Sequence, residues 1–167
     1  MCRFYSREEL LVERSRWKQD GKRVVLTNGC YDVLHPGHVR LLEQARSLGD
    51  VLILALNSDE SVQRLKGPSR PLFPLEVRAR LAASLEAVDA VTAFEEETPR
   101  ELIAALLPDI LVKGADWSHF IAGREEVEAA GGKVVTIPLE QGFSTTNIVQ
   151  EVLARRQRGR AVQVEQQ

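Results

Sequence analysis

The stretch VVLTNGCYDVLHPGH, residues 24–38, joins a short apolar run to a helix start through a loop dense in chemistry. Val24 to Thr27 reads as a buried strand, being β-branched and apolar with no polar alternation. Pro36 suits the first turn of a helix that reaches Leu48, with Gly49 as its C-terminal stop. A strand–loop–helix unit of this kind turns free backbone N–H groups, and the positive end of a helix, toward any anion above the strand.

Outward from this unit the alternation repeats. Upstream, Ser6 and Glu9 have the spacing of a capping box, predicting a helix to about Asp20 that Gly21 ends. Downstream, VLILAL (Val51 to Leu56) is a second buried strand. A short helix from Ser58, the polar loop KGPSRP and a helix from Pro74 to about Leu85 follow. Ala90–Phe94 is a third strand, and Thr98, Pro99 and Glu101 start a helix to Leu107. Ile110–Gly114 and Lys133–Ile137 are the fourth and fifth strands, and a last helix runs from near Thr145 to about Arg155. Unalternated strands separated by helices predict a doubly wound α/β fold with a five-stranded parallel sheet, Rossmann-like, with ligands outside the strands' carboxyl ends. Residues 1–155 read as one domain opened by the helix within 1–21, and 156–167 as a disordered tail.

Composition narrows the partners. A formal net charge of −2 provides no global field for nucleic acid or an anionic membrane, so a phosphate site needs a few focused groups. Cys2 and Cys30 make no disulfide framework. With no signal-like or membrane-length apolar run, a cytoplasmic location is expected.

In the loop, GxGxxG and GxxxxGK[ST] are both absent, which counts against a dinucleotide-binding Rossmann motif and a P-loop. His35 and His38 instead share one side of a first helical turn, and Gly37 between them allows phosphates close to the backbone. Such a pair could donate to phosphoryl oxygens, supply two ligands of a metal site that no further cluster completes, or simply cap a helix. Near the other end, GFSTTN (Gly142 to Asn147) puts Ser144, Thr145 and Thr146 at a helix start, either as caps or as an anion site. Lys66 lies among Gly and Pro in a segment suited to closing over an anion, though a surface lysine reads the same way. Arg70 and Arg78 are weaker candidates, and Arg78 equally reads as facing water. Lys113, Gly114 and Asp116 fall at the end of the fourth strand, where an α/β site collects its residues, although Asp116 also fits a simple turn. Trp117 fits packing, and Cys30 fits a buried filler better than a reactive thiol.

The frame G-x-[FY]-D-x-x-H-x-G-H, filled by Gly29, Tyr31, Asp32, His35, Gly37 and His38, resembles the signature of the cytidylyltransferase-like nucleotidyltransferases. From Val24 to Val149 the chain is further similar to the adenylyltransferases of D-glycero-β-D-manno-heptose 1-phosphate. NSDESVQRLKGPSRP, LEAVDAVTAFEEETP, LLPDILVKGAD and QGFSTTNIV carry that likeness. Departures stand at Cys30, Tyr31, Pro36 and Ala115–Trp117. The resemblance implies AMP transfer from ATP to the heptose 1-phosphate, giving ADP-heptose for lipopolysaccharide and releasing pyrophosphate. It implies His35, His38 and Lys66 as catalytic residues. Nucleotide contacts would come from Thr27, Asn28, Gly29, Tyr31, Asp32, Gly37, Lys113, Gly114, Asp116, Ser144, Thr145 and Thr146, and acceptor contacts from Asn57, Arg70 and Arg78. Mg²⁺, or another divalent cation, would arrive with ATP without a side-chain cage. The chain reads as the stand-alone form of an activity otherwise fused behind a sugar kinase, and family analogy suggests a homodimer. The competing readings are a cytidylyltransferase acting on glycerol 3-phosphate or a similar small phosphate, and an ATP-sensing module without turnover.

Overall fold

A computed structural model describes residues 3–115, 120–138 and 142–164. In chain order the elements are β1 (Arg3–Phe4), α1 (Arg7–Gln19), β2 (Val24–Gly29), α2 (Pro36–Arg46), β3 (Val51–Asn57) and α3 (Asp59–Lys66). They continue with α4 (Leu75–Ala83), β4 (Ala90–Phe94), α5 (Arg100–Leu106), β5 (Ile110–Gly114), α6 (Arg124–Ala129), β6 (Lys133–Ile137) and α7 (Thr145–Val164). The sheet is parallel throughout, in the order β1-β4-β3-β2-β5-β6. From β2 the chain winds one way through β3 and β4, then returns to the other side for β5 and β6. The strand order therefore reverses at β2, and a ligand crevice opens there.

The expected doubly wound sheet is present, with six strands among the described residues instead of five. The extra one, β1, pairs Arg3 and Phe4 with Ala90 and Val91. Two residues are too few to carry a periodic signal, so only the tertiary pairing reveals it. Helix α6 was also absent from the sequence reading. Helix α7 runs on to Val164, so residues 156–164 continue it where a disordered tail was expected. Arg155 and Arg158 both pair with Glu151 along that helix, at 2.7 and 3.2 Å. No described helix is long and apolar enough to cross a membrane.

Burial on both faces explains the strands' composition. In β3, Val51, Ile53 and Ala55 face one core with α1, α5 and α6, while Leu52, Leu54 and Leu56 face a second with α2 and α4. Each such Val, Leu or Ile side chain contributes roughly 1.5–3 kcal/mol relative to exposure. The amino ends of the strands are pinned by aspartates. Asp50 accepts from the Arg23 amide, Asp109 from Val24 and Asp89 from Leu52, all at 2.7–2.8 Å. Gly49 is needed for close approach, since a Cβ there would sit 2.7 Å from the Arg23 carbonyl oxygen. With that end tied down, the carboxyl ends are free to build the crevice.

Candidate active site

Strand β2 extends to Gly29, two residues beyond the expected end, and delivers its loop at the centre of the sheet. Tyr31 holds a left-handed backbone (φ 46°), rare for a non-glycine residue, and turns its ring inward beneath His38. Their centroids are 4.6 Å apart. Gly29 makes this possible, because a Cβ there would meet the Tyr31 ring at 3.0 Å. Burial pushes the Tyr31 phenol up, against a hydrogen bond with Thr27.

His35 is the N-cap of α2, and its Nδ1 accepts the His38 amide at 3.3 Å. An acceptor Nδ1 in a neutral ring puts the proton on Nε2. The two imidazoles stack at 3.7 Å with planes 18° apart. Burial, reinforced by His35 and Lys66, lowers the His38 pKa to about 3, and burial also lowers that of His35. Both rings are thus neutral near pH 7, and act as hydrogen-bonding groups rather than fixed cations.

The end of the chain meets this turn. Ser144 caps α7 by accepting the Asn147 amide at 3.0 Å. Phe143 lies beside α2: a Cβ on Gly37 would fall 3.5 Å from the Phe143 Cβ. His35, Gly37, His38, Ser144, Thr145 and Thr146 all line one cavity of about 560 Å³. Two helices therefore begin on the same space, each contributing the positive end of its dipole.

Thr27, Asn28, Gly29, Tyr31, Asp32, Asn57, Lys66, Lys113 and Gly114 line the same cavity. Lys66 is the last residue of α3, not a loop residue, and its exposed side chain stands at the rim. Asp116 and Trp117 lie outside the described residues.

The two arginines expected at the acceptor do not line the cavity. The Arg78 side chain is fully buried, so the alternative of a water-facing residue is also corrected. Its Nε donates to the Phe73 carbonyl at 3.0 Å, Nη1 to those of Cys30 and Asn57 at 2.8 Å each, and Nη2 to the Asp59 carboxylate at 2.6 Å. Arg70 pairs with buried Asp32 at 2.9 Å, and the other Asp32 oxygen accepts the Leu72 and Phe73 amides at 2.7 and 3.0 Å. Asp32 therefore anchors the segment after Lys66. Asn57 lines the cavity, but its amide nitrogen donates to Ser61 Oγ at 3.0 Å. Burial pushes the Cys30 thiol up, against nearby Lys66 and Arg78, which favours a packing role over a nucleophilic one.

Sequence reasoning missed Glu97, Thr98 and Pro99, which line the cavity just ahead of α5, and Phe120 and Ala122 ahead of α6. Their signal is positional only: each follows, or lies just beyond, the carboxyl end of a strand.

Residues 26–151 match the cytidylyltransferase-like family. The chain belongs to that family. Its likeness to the bifunctional protein HldE of Pectobacterium carotovorum is 56% identity over 138 residues, covering 82% of this chain and 29% of that protein. For HldE of Koribacter versatilis it is 51% over 147 residues, covering 87% and 30%. The chain thus spans about a third of the length of these curated relatives. Among solved structures, a lipopolysaccharide core biosynthesis protein from Thermoplasma volcanium superposes with a TM-score of 0.59 at 27% identity, covering 72% of this chain and 98% of that one. Pantoate-β-alanine ligase from Francisella tularensis shares the fold, with a TM-score of 0.61 at 16% identity over 84% of this chain and 68% of that one. Like other cytidylyltransferase-like proteins the chain is a nucleotidyltransferase. In this family member the stacked imidazoles and the α7 cap, more than a hundred residues apart in sequence, flank one ligand-sized space.

Proposed function

We propose that this chain transfers AMP from ATP to D-glycero-β-D-manno-heptose 1-phosphate, forming ADP-heptose and pyrophosphate for lipopolysaccharide synthesis. The observation that carries this reading is the meeting of the His35–His38 turn and the Ser144–Thr146 turn at one cavity. Two helix starts and two imidazole donors make a polyphosphate site. The HldE relatives and the lipopolysaccharide core protein support the choice of acceptor.

An acceptor phosphate oxygen attacks the α-phosphorus of ATP. The new P–O bond forms as the bond to the bridging oxygen breaks, and pyrophosphate leaves in line with no covalent enzyme intermediate. Two anions must approach each other, so charge neutralisation and positioning dominate the barrier. His35 and His38 donate to the triphosphate, Ser144, Thr145 and Thr146 anchor it at α7, and Lys66 covers the departing pyrophosphate. Lys113 and Gly114, at the end of β5, approach the nucleoside, with Thr27, Asn28 and Gly29 beneath it.

A divalent cation bound with ATP would supply further neutralisation. The cavity fits a cation carried mainly by phosphate oxygens and water. Among the described residues its carboxylates are Asp32, already engaged by Arg70 and two amides, and Glu97. No cluster of three metal-ligating side chains occurs among the described residues. The reaction is cytoplasmic in this reading, and a homodimer is the assembly proposed.

Mass spectrometry of products from ATP or CTP, with heptose 1-phosphate or glycerol 3-phosphate, tests the reading. An ADP-heptose mass from ATP is expected. A product only from CTP and glycerol 3-phosphate overturns it, as does tight ATP binding with no product.

A further inference from the structure

We propose that Glu97 reads the hydroxyl groups of the phosphorylated acceptor, from the cavity wall opposite the paired imidazoles. This deepens, and rests on, the reading of the chain as a sugar-phosphate nucleotidyltransferase. Several polar groups around the site are already engaged. Arg78 and Arg70 bond inward, and Asn57 gives its amide to Ser61. Neither arginine lines the cavity, and Asn57, which does, already has one amide N–H engaged.

The turn between β4 and α5 carries three consecutive glutamates, and the structure gives them different work. Glu96 pairs with Arg7 at 2.6 Å, accepts the Glu95 amide at 3.0 Å, and offers its carbonyl to Ser61 Oγ at 3.1 Å. Arg64 donates to the Glu95 carbonyl. Helices α1 and α3 thus hold the backbone of the turn in place. Glu97 is exposed on the cavity, with Thr98 beside it, and has no hydrogen-bond or ion-pair partner among the described residues. A carboxylate presented on a fixed backbone loses little freedom when it binds.

Charge decides what it binds. The imidazole wall starts α2, on the sheet face of α2 and α4, while Glu97 leads into α5 on the opposite face. The two helix starts draw polyphosphate toward the imidazole side of the cavity and not toward a like-charged carboxylate. What remains facing Glu97 is the uncharged part of the acceptor. A carboxylate is acceptor-only, and its two oxygens match two neighbouring hydroxyl donors. Charge-assisted bonds of this kind are strong and reject ligands lacking the donor.

The test measures steady-state pyrophosphate release by the full chain with ATP and a panel of heptose 1-phosphate, glucose 1-phosphate and glycerol 3-phosphate. The wild-type pattern alone reads the proposed function, because turnover of glycerol 3-phosphate in place of heptose 1-phosphate overturns that function and still leaves a substrate on which to read Glu97. With whichever acceptor is used, Glu97→Ala is expected to raise the acceptor KM about tenfold or more. The KM for ATP should stay within about twofold and the melting temperature within a degree or two of wild type. Glu97→Gln, which keeps one acceptor oxygen, should fall between. An unchanged acceptor KM in Glu97→Ala overturns the inference, as does a parallel rise in both KM values. Absence of turnover with every acceptor overturns both readings together.

Discussion

The imidazole of His38 lies against that of His35, centroids 3.7 Å apart, while the His38 amide donates to His35 Nδ1. The His38 amide thereby fixes the tautomer of His35 and leaves that ring's Nε2–H available. Removing a donor aimed at developing phosphoryl charge costs on the order of 10²–10³ in turnover. His38→Ala is expected to lose that much kcat while melting close to wild type. Near-normal turnover of the folded variant would show that the ring does no chemistry.

Acid should weaken the fold through the same ring. His38 titrates at about 3 in the folded protein, against a usual value near 6.5 in an unfolded chain. Above 6.5 neither state holds the proton, and the stability is fully present. Between 6.5 and 3 the unfolded chain takes up a proton that the fold refuses, so stability falls by up to about 1.4 kcal/mol per pH unit. Wild type should therefore lose ground to His38→Gln in denaturant titrations as pH drops from 7 to 4. A constant difference between them would mean that burial does not keep His38 neutral.

Lys66 ends α3, lines the cavity and is exposed to solvent. Lys66→Ala should lower kcat at least tenfold and leave the melting temperature nearly unchanged. Rapid-quench measurements should place the loss in the step that forms pyrophosphate. A large fall in melting temperature instead would make the lysine structural.

Arg78 should behave in the opposite way. Removing its guanidinium strands the Asp59 carboxylate and three backbone carbonyls, and breaking a buried pair costs about 3–5 kcal/mol. Arg78→Met is expected to show that loss in chemical denaturation. A variant as stable as wild type would refute its role as an internal tie.

Much of this was legible along the chain because local chemistry and tertiary role coincide. The Gly29–His38 frame and the Ser144 cap are local patterns, and each starts a helix as its spacing implies. Asp32, Arg70 and Arg78 show where that stops. A polar side chain beside a phosphate-binding loop reads as a ligand contact, and only the fold reveals partners forty or more residues away, such as Leu72 for Asp32 and Cys30 for Arg78. Glu97 was hidden for the converse reason. Three glutamates in a row look alike until Arg7 and Ser61 engage the middle one and leave the third facing the cavity.

Helix α3 has Asp59 at one end, held by Arg78, and Lys66 at the other. Eight residues span about 12 Å, so the buried guanidinium holds the base of a short rod whose far end carries the lysine. A tilt of about 10° at that base would swing the far end by about 2 Å, enough to carry an ammonium group into or out of hydrogen-bond range. Rigidity at a residue outside the cavity thus bears on the position of one that lines it.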